Sequence, residues 1–349
     1  MRDIVDGLIA WRAAGKAFAL ATVVNTWRSA PRQPGAAMAV NADGEVIGSV
    51  SGGCVEGAVY TAAQDVLESG KAQTHTYGVS DGDAFEVGLT CGGTIEIMIQ
   101  PSTALSVLDD VLAAISAGRP VATASVPDAQ LVIWPSGAAG TLGDDELDRQ
   151  AAQQAAGLLA HGRSAIVQAC EREVFVQSYA APARMIVFGA IDFAAAVARI
   201  GKFLGYQVTV CDARSVFATP ARFPDADEIV VEWPHRYLEA TEVDERTVLC
   251  VLTHDPKFDI PLLEVALHTP ARYIGAMGSR RTCEDRMQRL REAGVSEAAL
   301  SRLRAPIGLD LGARTPEETA VAIAAEIVAL SWGGSGAPLT DLIAPIHGF

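Results

Sequence analysis

"RMIVFGAIDFAAAVARIGKFLGYQVTVCDAR", residues 184–214, reads as strand, glycine turn, helix, strand and then acid. This is the order of a Rossmann unit, with Gly189 in the first turn and Asp212 following 23 residues later. Three apolar runs, "DEIVVE" (227–232), "RTVLCVLT" (246–253) and "ARYIGAMG" (271–278), continue the pattern between helical stretches. They predict a doubly wound parallel sheet for the second half of the chain. One position departs from the fingerprint: a second glycine would stand at 191, where this chain has Ile191, a side chain expected to crowd a pyrophosphate. NAD(P) binding is therefore expected to be weakened, with Asp212 accepting a ribose hydroxyl and Arg214 meeting a 2′-phosphate.

Two more segments are expected at the C-terminal edge of that sheet, where open α/β folds bind ligands. "THDPKFD" (253–259) leaves a strand and brings His254 and Asp255, whose alternative use is to cap backbone. "YIGAMGSRRT" (273–282) ends a strand in a turn at Gly278, with Ser279, Arg280 and Arg281 as phosphate donors. Thr315, Pro316 and Glu318 form a capping box that opens a structural helix.

Upstream, one unit occurs twice. "LIAWRAAGKAFALATVV" (8–24) matches "VLAAISAGRPVATASVP" (111–127), each a helix, a Gly-basic turn and a strand. "GSVSGGCVEGAVYTAAQDVLESGK" (48–71) matches "GTLGDDELDRQAAQQAAGLLAHGR" (140–163). Gly15 and Gly118 stand 103 residues apart and Gly48 and Gly140 stand 92 apart, so the first copy holds about 11 extra residues around "NTWRSAPRQPGA" (25–36). A second insertion of similar size falls in "YGVSDGDAFEVGLTCGG" (77–93). Loops that only one of two sister units carries are expected to serve function. Three regions follow: residues 1–104, a stripped-down copy at 105–182, and a Rossmann-like domain at 183–349.

The third difference is a cysteine: Cys54 aligns with Glu146, while Glu56 aligns with Asp148. Ser51, Gly52 and Gly53 precede Cys54, which is expected at a helix N-terminus, where unpaired N–H groups lower a thiol's pKa. Cys91, with Gly92 and Gly93, offers a second thiol that could share its pocket, and Arg28 and Arg32 suit an anionic, flat ligand. Cys170, Cys211 and Cys250 lie in apolar runs and are expected to be buried and inert.

Lys and Arg total 27 against 42 Asp and Glu, a formal net charge of −15 that argues against nucleic acid as a partner. No apolar run reaches the ~20 residues of a membrane span, and no signal-peptide pattern opens the chain, so a cytoplasmic protein is expected. The six cysteines contain no Cys-x-x-Cys, so neither a zinc site nor a disulfide framework is expected.

Taken in order, "SAPR" (29–32), "GSVSGGCVEG" (48–57), "TCGGTIEIMIQP" (90–101), "VFGAIDFA", "LTHDPKFDIPLL", "YIGAMGSRRT" and "PIGLDLGARTPEE" resemble the XdhC/CoxI family of accessory proteins for molybdenum hydroxylases, such as xanthine dehydrogenase and carbon monoxide dehydrogenase. The resemblance implies a chaperone more than a stand-alone enzyme: it would bind molybdenum cofactor (molybdopterin), support its sulfuration and deliver it to the hydroxylase apo-enzyme. Family motifs fall on Ser51, Gly52, Gly53, Cys54, Cys91, Gly92 and Gly93, and on Gly189, Asp212, His254, Asp255 and Gly278, Ser279, Arg280 and Arg281. Ile191 and the Trp27–Arg28 pair depart from the family pattern. A cysteine desulfurase partner and a homodimer complete the expectation. The alternative is an NAD(P)-dependent oxidoreductase using the Rossmann half, with His254 as acid-base group.

Overall fold

A computed structural model describes residues 1–27, 30, 32–78 and 93–343. They divide into two compact units, the first ending at Ala181 and the second spanning Pro182–Leu342.

The first unit is one topology used twice. Helix α1 (Val5–Ala13) leads into β1 (Phe18–Trp27), β2 (Ala37–Asn41) and β3 (Val46–Gly48), then α2 (Glu56–Ser69), β4 (Gln73–Tyr77) and β5 (Thr94–Pro101). The second pass is α3 (Leu108–Ser116), β6 (Val121–Val126), β7 (Ala129–Trp134), β8 (Gly137–Thr141), α4 (Asp145–Ala160), β9 (Ala165–Ala169) and β10 (Arg172–Tyr179). The sheets have strand orders β3-β2-β1-β5-β4 and β8-β7-β6-β10-β9, and every pairing is antiparallel.

The matched glycines explain why two diverged sequences make the same turns. Gly48 and Gly140 have φ of +81° and +92°. A Cβ on either would stand 2.3 Å from the Ala37 carbonyl oxygen or 2.5 Å from that of Gln130, so both the dihedral and the neighbouring strand exclude a side chain.

Helices α2 and α4 each cover one face of their own sheet. Val59, Ala63 and Val66 pack on Ile95, Ile97 and Ile99 in the first copy, and Leu147, Ala151 and Ala155 pack on Leu131, Val174 and Val176 in the second. The remaining apolar surfaces form one shared core, with Leu8, Phe18 and Leu20 from the first copy and Leu108, Val111 and Val132 from the second. Burial of each such side chain contributes roughly 1.5–3 kcal/mol. Neither copy buries that surface alone, which is why the two fold as one unit.

The second unit holds β11 (Arg184–Phe188), α5 (Asp192–Phe203), β12 (Gln207–Cys211), β13 (Glu228–Val230), α6 (Pro234–Ala240), β14 (Val248–Val251), α7 (Pro256–Ala266), β15 (Tyr273–Ala276), α8 (Arg280–Glu292), α9 (Glu297–Leu300), β16 (Leu303–Arg304) and α10 (Pro316–Trp332). Its sheet is parallel throughout, in the order β13-β12-β11-β14-β15-β16, as the 184–214 stretch predicts. The order reverses between β11 and β14, and this switch point opens a crevice at the C-terminal ends of those strands. Helix α10 opens with the predicted capping box of Thr315 and Glu318.

Candidate functional site

The turn between β3 and α2 is organised by Glu56. Its carboxylate accepts from Ser49 Oγ (2.7 Å), Ser51 N (2.9 Å), Ser51 Oγ and Gly53 N (2.8 Å). The bond pattern closes further with Gly52 N donating to Ser49 Oγ and Val55 N to Ser51 Oγ, both at 3.0 Å. Burial works to raise the Glu56 pKa, but the four donors outweigh it and hold the carboxyl at about 2. Glu56 is therefore an anion throughout the physiological range.

The same bonds define where Cys54 stands. The residue lies before Val55, the N-cap, rather than inside the first turn, and the N–H groups of Ser51 and Gly53 are held by Glu56. Glu56, the first residue of α2, sets a carboxylate at the helix terminus. What the turn provides is position: Cys54 is half-buried against the α2 core, beside exposed Gly52 and Gly53.

The second copy has the same latch without the thiol. Asp148 accepts from Leu142 N (2.6 Å), one position earlier in the matched turn than Ser51, and Asp144 caps α4 by accepting from Glu146 N and Leu147 N. The acid thus belongs to the shared fold, and the cysteine is the addition. The sequence-matched pair Glu56 and Asp148, each an acid just after a glycine turn, was the available signal for this role.

The loop differences are equally local. Nine residues (28–36) join β1 to β2, whereas two join β6 to β7. Sixteen (78–93) join β4 to β5, whereas Cys170 and Glu171 alone join β9 to β10 in a tight hairpin. Arg28, Cys91 and Gly92 lie outside the described residues, while Gly93 is buried ahead of β5 and Arg32 pairs with Asp3 at 3.0 Å.

The other cysteines divide differently from expectation. Cys211 and Cys250 are buried in β12 and β14, and burial pushes both thiols up to about 12. Cys170 is exposed, because its run ends in the hairpin turn and not in a strand centre; its φ of +45° and that of Glu171, +59°, suit a two-residue loop.

In the second unit, Gly189 ends β11 with φ of +107°, and a Cβ there would lie 3.0 Å from Thr253 N. The chain leaving β14 crosses the turn at van der Waals distance, so glycine is required. Asp212 reaches the same turn. Its Oδ2 accepts from Ala190 N (2.7 Å) and Arg214 Nη2 (2.7 Å), and its Oδ1 accepts from Arg214 N (2.8 Å) and Nε (2.9 Å). Burial would raise this carboxyl, but the Arg214 and backbone donors hold it below the ordinary range.

A carboxylate has about four acceptor positions, and all four are engaged. A ribose hydroxyl at Asp212 must therefore displace Arg214. Arg214 also lies 4.7 Å over the Phe217 ring, and Arg222 faces the same ring at 5.6 Å. These three, with Ala190, Ile191 and Asp192, line a pocket of about 230 Å3.

Across the crevice, Asp255 is the N-cap of α7, accepting from Lys257 N at 3.1 Å, and Ser279 caps α8 by accepting from Thr282 N at 3.1 Å. Both are thus committed to backbone. Exposed Arg280 and Arg281 open α8. Exposed His254 lines a cavity of about 110 Å3. Its floor is a buried pair that the sequence did not reveal, Asp259 and Arg286 at 2.7 Å, with Thr253 Oγ1 donating to Asp259. Arg286 comes from α8 and also donates to the Met277 carbonyl (3.0 Å), tying α7, α8 and the β15 loop together.

Two family models match the chain: the XdhC and CoxI family over residues 11–78, and the XdhC Rossmann domain over 185–327. The molybdenum cofactor insertion chaperone PaoD of Escherichia coli (strain K12) is 28% identical over 331 residues, covering 95% of this chain and 87% of that protein. A probable xanthine dehydrogenase subunit of Bacillus subtilis (strain 168) is 27% identical over 318 residues, covering 88% and 92%. Among solved structures, a xanthine dehydrogenase from Bacillus halodurans superimposes with a TM-score of 0.70 at 25% identity, covering 97% of this chain and 98% of that one.

Proposed function

From the premise that the chain belongs to the XdhC and CoxI family, we propose that it is an accessory protein that takes up molybdenum cofactor, supports its sulfuration and hands it to a molybdenum hydroxylase of the xanthine dehydrogenase type. The observation that carries the reading is the Cys54 turn: of two copies of one fold, only the first places a thiol in the latched loop. The relative named as a molybdenum cofactor insertion chaperone spans 95% of the chain and supports the same class.

The residues present fit such a cargo. A thiolate is a soft ligand suited to a molybdenum centre or to carrying sulfur, and Cys54 is the half-buried thiol beside a glycine pair with open space around it. Glu56 fixes the loop so that the thiol is presented at one place. A cysteine desulfurase is the class of partner that would supply the sulfur. The NAD(P)-dependent alternative has weaker support, because Asp212 already has its acceptor positions filled and Ile191 opens α5 where the fingerprint has glycine.

The test is anaerobic incubation of wild type, Cys54→Ser and Cys91→Ser with molybdenum cofactor, then desalting and quantification of molybdenum and pterin. Near-stoichiometric retention by wild type, reduced at least tenfold by Cys54→Ser, is expected. Absence of retention by wild type would overturn the reading, and full retention by Cys54→Ser would remove that thiol from it.

A further inference from the structure

The connection from β1 to β2, nine residues long where the second copy uses two, does more than lengthen a turn. Its part from Arg32 to Ala36 forms one wall of a groove of about 400 Å3, and the end of β10 forms the other. Gln177 Nε2 donates to the Gly35 carbonyl at 2.7 Å and pins the added loop across the seam between the copies. One wall of the groove is thus built from a connection that only the first copy has at this length.

Two buried hydroxyls in this wall have no hydrogen-bond partner among the described residues: Ser178 Oγ and Tyr179 Oη. Tyr179 is 3% exposed. Burial holds its phenol well above the ordinary range, and the hydroxyl lies within the fields of Arg2 and Asp3, both of which line the groove. It is a protonated donor at any physiological pH. A buried hydroxyl without a partner forfeits the hydrogen bonds it had in water, a cost that persists where a ligand repays it.

The charges at the rim select the ligand. Arg2, Arg32 and the Met1 amino group stand against Asp3 alone in the groove's lining, a local excess of positive charge in a chain of net −15. Arg32 donates to Asp3 and Arg2 to the Ala180 carbonyl, which holds both guanidinium groups in place at the rim. Asp3 apart, the side chains named here are donors, and Arg2 and Arg32 are cationic. An acceptor-rich anion fits, and a phosphoryl group offers its terminal oxygens to forked guanidinium and hydroxyl donors.

We infer that the seam groove, with Arg2, Arg32, Ser178 and Tyr179 as its donors, is a binding site for a phosphoryl group. Cys54 does not line it, so the site stands whether or not the cofactor-carrier reading holds. The phosphoryl group comes either free, as inorganic phosphate, or on a phosphate monoester with a flat ring.

The test titrates the full chain at low ionic strength with inorganic phosphate, followed calorimetrically, and with flavin mononucleotide and riboflavin, followed by fluorescence. Wild type, Arg32→Gln and Tyr179→Phe are compared. The expected result is saturable binding of phosphate or flavin mononucleotide, at least tenfold tighter than riboflavin, weakened about tenfold or more in Arg32→Gln and severalfold in Tyr179→Phe. Phosphate binding identifies the free anion as sufficient; flavin mononucleotide binding without phosphate binding assigns the ring a share. Tyr179→Phe keeps the packing and removes the unpartnered hydroxyl, so its melting temperature is expected to match or exceed wild type, which separates lost binding from lost folding. No binding of either probe, equal binding of riboflavin, or binding unchanged in both variants overturns the assignment.

Discussion

The two copies in the first unit are a control experiment within one chain. Both make the same five-stranded antiparallel sheet, both turn on a glycine with φ near +80° to +90° before the covering helix, and both latch that turn with an acid. They part at two loops and one side chain: the connections 28–36 and 78–93 against two-residue links, and Cys54 against Glu146. What they share is what the fold needs, since either copy would lose its turn without it. What one copy adds has no counterpart holding the other together, and it is there that the thiol and the seam groove lie.

If that division is right, damage to a shared feature should cost both copies stability. Gly48→Ala and Gly140→Ala force a Cβ against a neighbouring carbonyl at positive φ. Each is expected to destabilise the first unit by about 2–4 kcal/mol, read by chemical denaturation. A large loss for one and none for the other would break the equivalence.

The acids should differ in degree. Glu56, with its pKa held at about 2 against 4.5 in the unfolded chain, contributes stability that is fully present above pH 4.5 and is lost as pH falls toward 2. With solvent screening, the contribution is on the order of 1–2 kcal/mol. Glu56→Gln is expected to remove it and to flatten acid unfolding over that window. Asp148→Asn, which loses one such bond, should cost less, about 0.5–1 kcal/mol.

The smallest effect sharpens the comparison at the hairpin. Replacing Cys170–Glu171, both at positive φ, with Asn-Gly should raise stability by about 0.5–1 kcal/mol in a thermal melt, because that link serves only to turn the chain.

The sequence carried the fold a long way. The order of elements in 184–214 predicted the parallel sheet, the paired glycines exposed the duplication, and Thr315 with Glu318 marked the start of α10. It did not show which intramolecular partners the polar groups would take. Glu56 takes the Ser51 and Gly53 N–H groups beside Cys54, Arg214 and Ala190 N engage Asp212, and Ser279 and Asp255 each cap a helix.

By itself, the sequence determined which turns, strands and helices this protein makes, because φ preference, apolar periodicity and capping are properties each residue brings to its immediate neighbours. The tertiary structure alone decided which donor meets which acceptor. Asp259 meets Arg286 across 27 positions, and Gln177 meets Gly35 across 142. A polar group leaves water only for the partner that folding delivers to it, and that partner comes from another part of the chain.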